Sequence, residues 1–264
     1  MSEYWSIESM ERLSPLVSVI MPCYNAERFI IEAIKSVQAQ SITDWELLIT
    51  DDCSTDNTRN LVKSISVDDQ RIKLFDLPEN SGAAVARNNS IMHAAGRYIA
   101  FLDSDDLWAE DKLEKQLAFM SSMSAGFSFT AYETISENGE RNNIIHVPAT
   151  LTYNQYLRNT IIGCLTVIVD RDIVGDFRMP LLRKRQDMAT WLSILRQGVM
   201  AYGLDIPLAS YRNVSTSISH NKLKAAGGVW RVYRDIERLS LCKSIVCFIG
   251  YAFHAVRKRV THKL

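Results

Sequence analysis

The chain reads as an α/β protein: a doubly wound, mostly parallel central sheet, a mixed second half and C-terminal helices. Two observations point there. Between residues 16 and 123, four short apolar runs alternate with four segments of helical period, the rhythm of units that build a parallel sheet. Acidic clusters follow two of those runs, Asp51-Asp52 and Asp103-Ser104-Asp105-Asp106, and in open α/β sheets ligands gather beyond the carboxyl ends of the strands.

Residues 16–21 make a buried strand ended by Pro22, with a helix over 26–39. A strand at 45–50, a loop at 51–54 and a helix at 56–65 repeat the unit, with Thr55 or Asp56 as N-cap. Strand 71–75 leads to a helix opened by Ser81-Gly82 and running to 95, and strand 98–102 to a helix over 111–123. The pattern then changes. Residues 126–135 and 144–147 read as strands joined through the polar turn Glu137-Asn138-Gly139, and 164–169 as another strand. An amphipathic helix follows over 187–196, then a strand over 201–211 broken at Pro207. No linker, repeat or low-complexity stretch intervenes. The expected organisation is one domain over 16–225 between an N-terminal extension, 1–15, and a helical C-terminal extension, 226–264.

A hydrophobic fraction of 47% supplies a sizeable core and excludes disorder. The 30 basic and 30 acidic residues cancel, so no overall field favours nucleic acid, and none is expected as a partner. Residues 1–15 carry Glu3, Glu8 and Glu11 and lack the cationic-then-apolar layout of a secretory signal, which predicts a cytoplasmic chain. Five cysteines, Cys23, Cys53, Cys164, Cys242 and Cys247, form no C-x-x-C pair and read as buried, reduced thiols.

Three carboxylates within the four positions 103–106 repel one another and invite a hard cation, Mg²⁺ or Mn²⁺, which prefers oxygen ligands and leaves positions open for phosphates. The same residues are good turn and helix-cap chemistry. Two nucleotide signatures are absent: no glycines stand at i and i+2, which removes G-x-G-x-x-G, and nothing matches G-x-x-x-x-G-K-[ST].

Several ordered motifs together resemble the inverting glycosyltransferases of family 2, which have the GT-A fold. They are Val17-Ser18-Val19-Ile20-Met21-Pro22-Cys23-Tyr24-Asn25, Asp51-Asp52-Cys53-Ser54-Thr55-Asp56 and Asn80-Ser81-Gly82-Ala83-Ala84-Val85-Ala86-Arg87-Asn88. The run Gly96-Arg97-Tyr98-Ile99-Ala100-Phe101-Leu102-Asp103-Ser104-Asp105-Asp106-Leu107-Trp108 and then Lys112-Leu113-Glu114-Lys115-Gln116 continue the match, which covers about 16–220.

The resemblance implies that Pro22, Tyr24 and Asn25 line a nucleotide pocket, that Asp52 accepts from the uracil imide, and that Arg87 stands near the diphosphate. Asp52 is also placed to cap a turn or helix, and Arg87 to lie on a helix surface. Asp103, Ser104 and Asp105 form the D-x-D segment. Asp105 is the expected direct metal ligand, with Asp103 toward ribose or metal and Asp106 orienting the pair. Asp187 is the expected general base, with Gln186 where relatives carry Glu; a helix N-cap is its alternative. Arg212 is expected at the nucleotide sugar and His220 at phosphate or metal. Trp108, Gly163, Cys164, Leu165 and Thr166 are expected to border the acceptor cleft, with Trp108 equally placed for the core.

Residues 244–256 are strongly apolar and are followed by Arg257-Lys258-Arg259 and Lys263. The run is too short to span a bilayer. It suits a helix lying on the cytoplasmic face of the inner membrane, or one packed on the domain or on a second subunit in a homodimer. Together with the resemblance, this implies a metal-dependent enzyme that moves a hexose, glucose or galactose, from a UDP-sugar to an undecaprenyl-diphosphate-linked saccharide of O-antigen, capsule or teichuronic acid. A non-catalytic nucleotide-sugar-binding subunit and a sugar nucleotidyltransferase are the alternatives, the second lacking its glycine-rich phosphate loop after the first strand.

Overall fold

The computed structural model describes residues 14–214 and 222–260. Four parallel strands, β1 (Val17–Cys23), β2 (Trp45–Asp51), β3 (Ile72–Asp76) and β4 (Tyr98–Phe101), lie in the order β3-β2-β1-β4. They are linked by α1 (Ile30–Gln38), α2 (Thr58–Asp68) and α3 (Ala83–His93). Every residue of β1 and β2 is buried, as both faces of a parallel sheet are covered by helices. Alternation divides their side chains: Ile20 and Leu48 enter one core, Val19, Met21, Leu47 and Ile49 the other. In α1, Ile30, Ala33, Ile34 and Val37 recur at helical spacing and make the buried stripe.

The chain continues through β5 (Leu107–Trp108), α4 (Lys112–Met123), β6 (Phe127–Ile135), β7 (Arg141–Ile145), β8 (Thr150–Leu151) and α5 (Tyr153–Tyr156). After a 3₁₀ turn at Cys164–Thr166 come β9 (Ile168–Asp170), α6 (Arg171–Val174), α7 (Gln186–Arg196) and β10 (Ala201–Arg212). The sheet extends as β4-β9-β6-β10-β5, with β9 antiparallel to both neighbours and β6 parallel to β10. This is the expected mixed second half. Helix α8 (Lys222–Arg231), a π-helical turn at Val232–Ile236 and α9 (Leu241–Val260) complete the described chain.

Four elements differ from the sequence reading, two of them because side chains claim backbone groups. The first helix begins at Ile30, not 26; residues 27–29 form a turn before it, and the Ala26 N–H donates to Thr58 Oγ1 (2.8 Å) and the Glu27 N–H to Asp56 Oδ2 (3.1 Å). The strand expected over 164–169 is a strand only at Ile168–Asp170, because Trp108 Nε1 donates to the Leu165 carbonyl (2.9 Å) and Gln116 Nε2 to that of Thr166 (2.9 Å). The strand expected over 144–147 pairs over Arg141–Ile145, and the Val147 N–H donates instead to Asp205 Oδ1 (2.9 Å). Pro207 does not break β10; register shifts on either side absorb it as a bulge. The cysteines are all free, with Cys23, Cys164 and Cys247 buried but Cys53 half-buried and Cys242 exposed.

Trp191 fixes α7. Its ring meets Phe101 edge-on at 5.4 Å and lies 5.3 Å from Phe127, which pins the helix against β4 and β6. Asp187, one turn earlier, shares that helix face and is thereby held on the sheet side.

Candidate active site

The site is built at the carboxyl ends of β1, β2 and β4. Ile20 accepts the Leu102 N–H through its carbonyl, so Pro22, two residues on, faces the same side, where β4 has already ended at Phe101. The missing proline donor therefore costs no ladder bond. Tyr24 is half-exposed beyond it, and Asn25 is left-handed with φ 48°, a conformation Asn tolerates. The Asn25 side chain accepts the Thr55 N–H (2.8 Å), and its own N–H donates to Ser54 Oγ (2.9 Å), zipping the loops after β1 and β2 together. Cys53 between them is held at φ 65°, a strained state for a non-glycine residue, while Asp51 Oδ2 accepts the Ser54 N–H (2.8 Å).

Asp52 is buried and caps. Its Oδ1 accepts the Ser81 N–H (2.7 Å) and its Oδ2 the Gly82 N–H (2.8 Å). Gly82 precedes α3 at φ 93°, which glycine adopts without strain. Each carboxylate oxygen keeps a further lone pair, so the cap does not exhaust Asp52.

After β4, Asp103, Ser104 and Asp105 are part-exposed and Asp106 is buried. Burial, then the charge of Asp103, pushes the Asp105 carboxyl up to about 6. Burial and both neighbouring carboxylates push Asp106 well above the usual range. Asp106 Oδ1 accepts the Arg212 N–H (2.8 Å), while its Oδ2 is buried with no hydrogen-bond partner.

Arg212, expected at the nucleotide sugar, is spent on the protein itself. Its buried guanidinium donates to the Asp105 carbonyl (Nε, 2.8 Å), the Glu137 carbonyl (Nη1, 2.9 Å) and Glu32 Oε2 (Nη2, 2.7 Å), and it lies over the Phe29 ring at 4.7 Å. It braces the acidic loop from beneath. Glu32 and Glu137 escaped the sequence reading because neither belongs to a motif.

Arg87, on α3, is buried and donates through Nη2 to Asp103 Oδ1; its Nε and Nη1 groups are buried with no partner. Burial works against its charge, but Asp103, then Asp187, hold the guanidinium firmly protonated. The fields of Asp103 and Asp187 also meet at the Cys164 thiol, which burial pushes far up. Arg87, Asp103, Cys164 and Asp187 thus share one electrostatic neighbourhood. Asp187 stands in the first turn of α7, part-exposed, while the N-cap position belongs to Arg185 at φ 64°. The N-cap alternative for Asp187 is not what the structure shows. Gln186 Oε1 beside it is buried without a partner.

On the other flank, Trp108 and Thr166 are buried, and the 163–166 turn is tied from behind by Trp108, Gln116 and Lys112. Lys112 is a fully buried cation whose ammonium burial pulls down to about 7. Its inward position was readable from sequence, since Lys112, Gln116 and Met120 recur every four residues on one helix face. His220 lies outside the described residues.

Among the described residues, no three His, Cys, Asp or Glu side chains gather as a metal cage. Asp103 and Asp105 nonetheless suit a hard divalent ion. They offer oxygen ligands, their mutual repulsion awaits a cation, and an orphaned Asp106 oxygen stands behind them. A two-carboxylate seat leaves the remaining positions to phosphate and water.

The family model of glycosyl transferase family 2 matches residues 18–179. A Bacillus subtilis protein, provisionally named the teichuronic acid biosynthesis glycosyltransferase TuaG, is 53% identical over 95% of this chain and 100% of its own length. The Escherichia coli protein WfgD, named a UDP-Glc:α-D-GlcNAc-diphosphoundecaprenol β-1,3-glucosyltransferase, is 41% identical over 92% of this chain and 94% of its own. A mannosyltransferase of Pyrobaculum calidifontis, solved with GDP-Man and Mn²⁺, shares the fold with a TM-score of 0.68 at 18% identity, covering 93% of this chain and 71% of that one.

Proposed function

The chain belongs to glycosyl transferase family 2, and on that footing we propose that it moves a hexose from a UDP-sugar to a polyprenyl-diphosphate-linked saccharide with inversion at the anomeric carbon. The family and its named relatives make it a glycosyltransferase; donor, acceptor and metal are our reading. Glucose is the preferred donor sugar, with galactose second, because WfgD is named for UDP-Glc. The observation that carries the reading is the Arg87–Asp103 ion pair beyond the strand ends, with Asp187 in the same electrostatic neighbourhood.

Each side chain has a task. Pro22, Tyr24 and Asn25 line the uridine pocket, and Asp52 accepts the uracil imide N–H on lone pairs left free by its cap. Arg87 offers two unpartnered donors, whose planar geometry suits phosphate or sugar oxygens. Asp103 and Asp105 would hold Mn²⁺ or Mg²⁺, which supplies neutralisation of the charge developing on the leaving diphosphate. Asp187 accepts the proton of the acceptor hydroxyl as that oxygen bonds to the anomeric carbon from the side opposite UDP. The anomeric carbon–oxygen bond breaks, its electron pair leaves with UDP, and the configuration inverts. A lipid-linked acceptor puts this work at the cytoplasmic face of the inner membrane.

The test is UDP release from the full chain with a panel of UDP-sugars and a synthetic GlcNAc-diphosphate-lipid, with and without Mn²⁺, beside Asp105→Ala and Asp187→Asn. Metal-dependent turnover with one donor, lost in both variants, is expected. Turnover retained in Asp187→Asn would remove the assigned base; activity indifferent to chelation would remove the metal.

A further inference from the structure

We propose that the outward face of α9 is a membrane-docking surface whose partner is an anionic lipid layer. The inner face of this helix is already committed to the protein. Ser244 and Cys247 are buried, and Phe248 meets Trp230 of α8 edge-on at 5.6 Å. A Cβ at Gly250 would come within 2.9 Å of Arg158 Cβ, so glycine lets the helix lie tight against the segment after α5. The opposite face should therefore be polar. It is not: Leu241 (55% exposed), Ile245 (44%), Ile249 (63%) and Phe253 (64%) recur every four residues as an apolar stripe, widened by Val246 (53%).

Charge selects the occupant. After Glu237 the sequence contains no Asp or Glu, but it contains Arg238, Lys243, Arg257, Lys258, Arg259 and Lys263; the chain as a whole balances, so the cations are concentrated in this segment. An apolar stripe in a segment whose sequence after Glu237 is cationic and free of acids is what an interfacial helix needs on anionic headgroups. A second copy docking the same patch onto itself would set cations against cations, with no carboxylate after Glu237 to answer them. A helix held along one side by its domain can lie in an interface but not cross it, and among the described residues no helix is long and apolar enough to span a membrane.

The surface also connects to the chemistry. A Cβ at Gly228 of α8 would lie 3.2 Å from the Arg185 side chain, and Arg185 is the N-cap of the helix that carries Asp187. Docking by α9 thus sets the height above the membrane of the helix bearing the proposed base. The purpose of the surface rests on the lipid-linked acceptor proposed above; its existence does not.

The experiment is co-sedimentation of the full chain with phosphatidylcholine vesicles, with and without phosphatidylglycerol, in low and high salt, for wild type, for Ile249→Glu/Phe253→Glu and for Lys258→Gln/Arg259→Gln. We expect binding to the anionic vesicles only, weakened by salt and reduced about tenfold or more in both variants. Circular dichroism should stay native, and UDP release on a short-chain, water-soluble acceptor should stay at the wild-type rate. Equal sedimentation of wild type and the Ile249/Phe253 variant, or none with anionic vesicles, overturns the proposal. If light scattering then shows a wild-type dimer that this variant breaks, the face belongs to a second copy. The vesicles contain no acceptor, so vesicle binding without turnover on any acceptor would count against the sugar-transfer reading alone.

Discussion

The backbone N–H of Arg212 donates to Asp106 Oδ1 at 2.8 Å, joining the end of β10 to the last carboxylate of the acidic loop. The guanidinium of the same residue holds the Asp105 carbonyl at 2.8 Å, so both sides of the loop are gripped from one position.

Arg212→Ala keeps the backbone bond and removes the guanidinium, leaving the carbonyls of Asp105 and Glu137 short of a donor. A loss of about 2 kcal/mol in urea unfolding is expected, together with a raised Mn²⁺ requirement in UDP release. Arg212→Lys should not rescue, because one ammonium cannot reproduce the three-way fork. Unchanged stability with only a raised donor KM would return Arg212 to the nucleotide.

Asp105 makes the apoprotein's stability pH-dependent. Its carboxyl lies at about 6 in the folded chain against 3.8 in the unfolded one. The stabilising contribution is full below 3.8 and lost as pH rises through about 6, a difference of at most ~3 kcal/mol, less where water reaches the site. Asp105→Asn without metal should therefore melt above wild type at pH 8, the gap closing toward pH 4. Adding Mn²⁺ should raise the wild-type Tm and leave the variant unmoved. A variant that melts below wild type at pH 8 would remove the strained-carboxylate account.

Asp52→Asn separates capping from base recognition. An amide can accept through only one of its two terminal atoms, so either the Ser81 or the Gly82 N–H loses its partner, at about 1 kcal/mol. If Asp52 also accepts from uracil, the dissociation constant for UDP in calorimetry should rise well beyond what that small loss explains. Weakened stability with unchanged UDP affinity would leave it a cap alone.

Alternation of apolar runs with helical segments was enough to place β1 to β4, because a parallel sheet buried on both faces writes itself as short apolar strands. The proposed site residues follow the same grammar: Asp52, Arg87, Asp103 and Asp187 come from four distant segments, yet each sits just past a strand end or in the first turns of a helix. What failed were positions decided by side-chain claims on backbone. The 3₁₀ turn at Cys164–Thr166 has no local signature, since Trp108 and Gln116 reach it from 50 or more residues away. Arg212 shows the same limit: a sequence does not say whether an arginine beside an acidic loop faces the ligand or the loop's own carbonyls, which Arg212 holds here.

Gln186→Glu should move the pH profile of transfer. Gln186 opens α7 directly before Asp187, and its Oε1 is buried with no hydrogen-bond partner. A carboxylate there sets a second negative charge beside the proposed base, and a like charge disfavours the ionised form. The acidic limb of kcat/KM therefore shifts upward by about one pH unit. Below that limb the variant is slower than wild type; on the plateau it is equal or slightly faster, since a stronger base accepts the proton more readily. Asp187→Asn should abolish the limb and cut kcat by about 10²–10⁴. The check is kcat/KM between pH 5 and 9 at saturating Mn²⁺, with UDP affinity measured in parallel. An unshifted limb in Gln186→Glu, with a limb still present in Asp187→Asn, would mean that the titrating base is another residue.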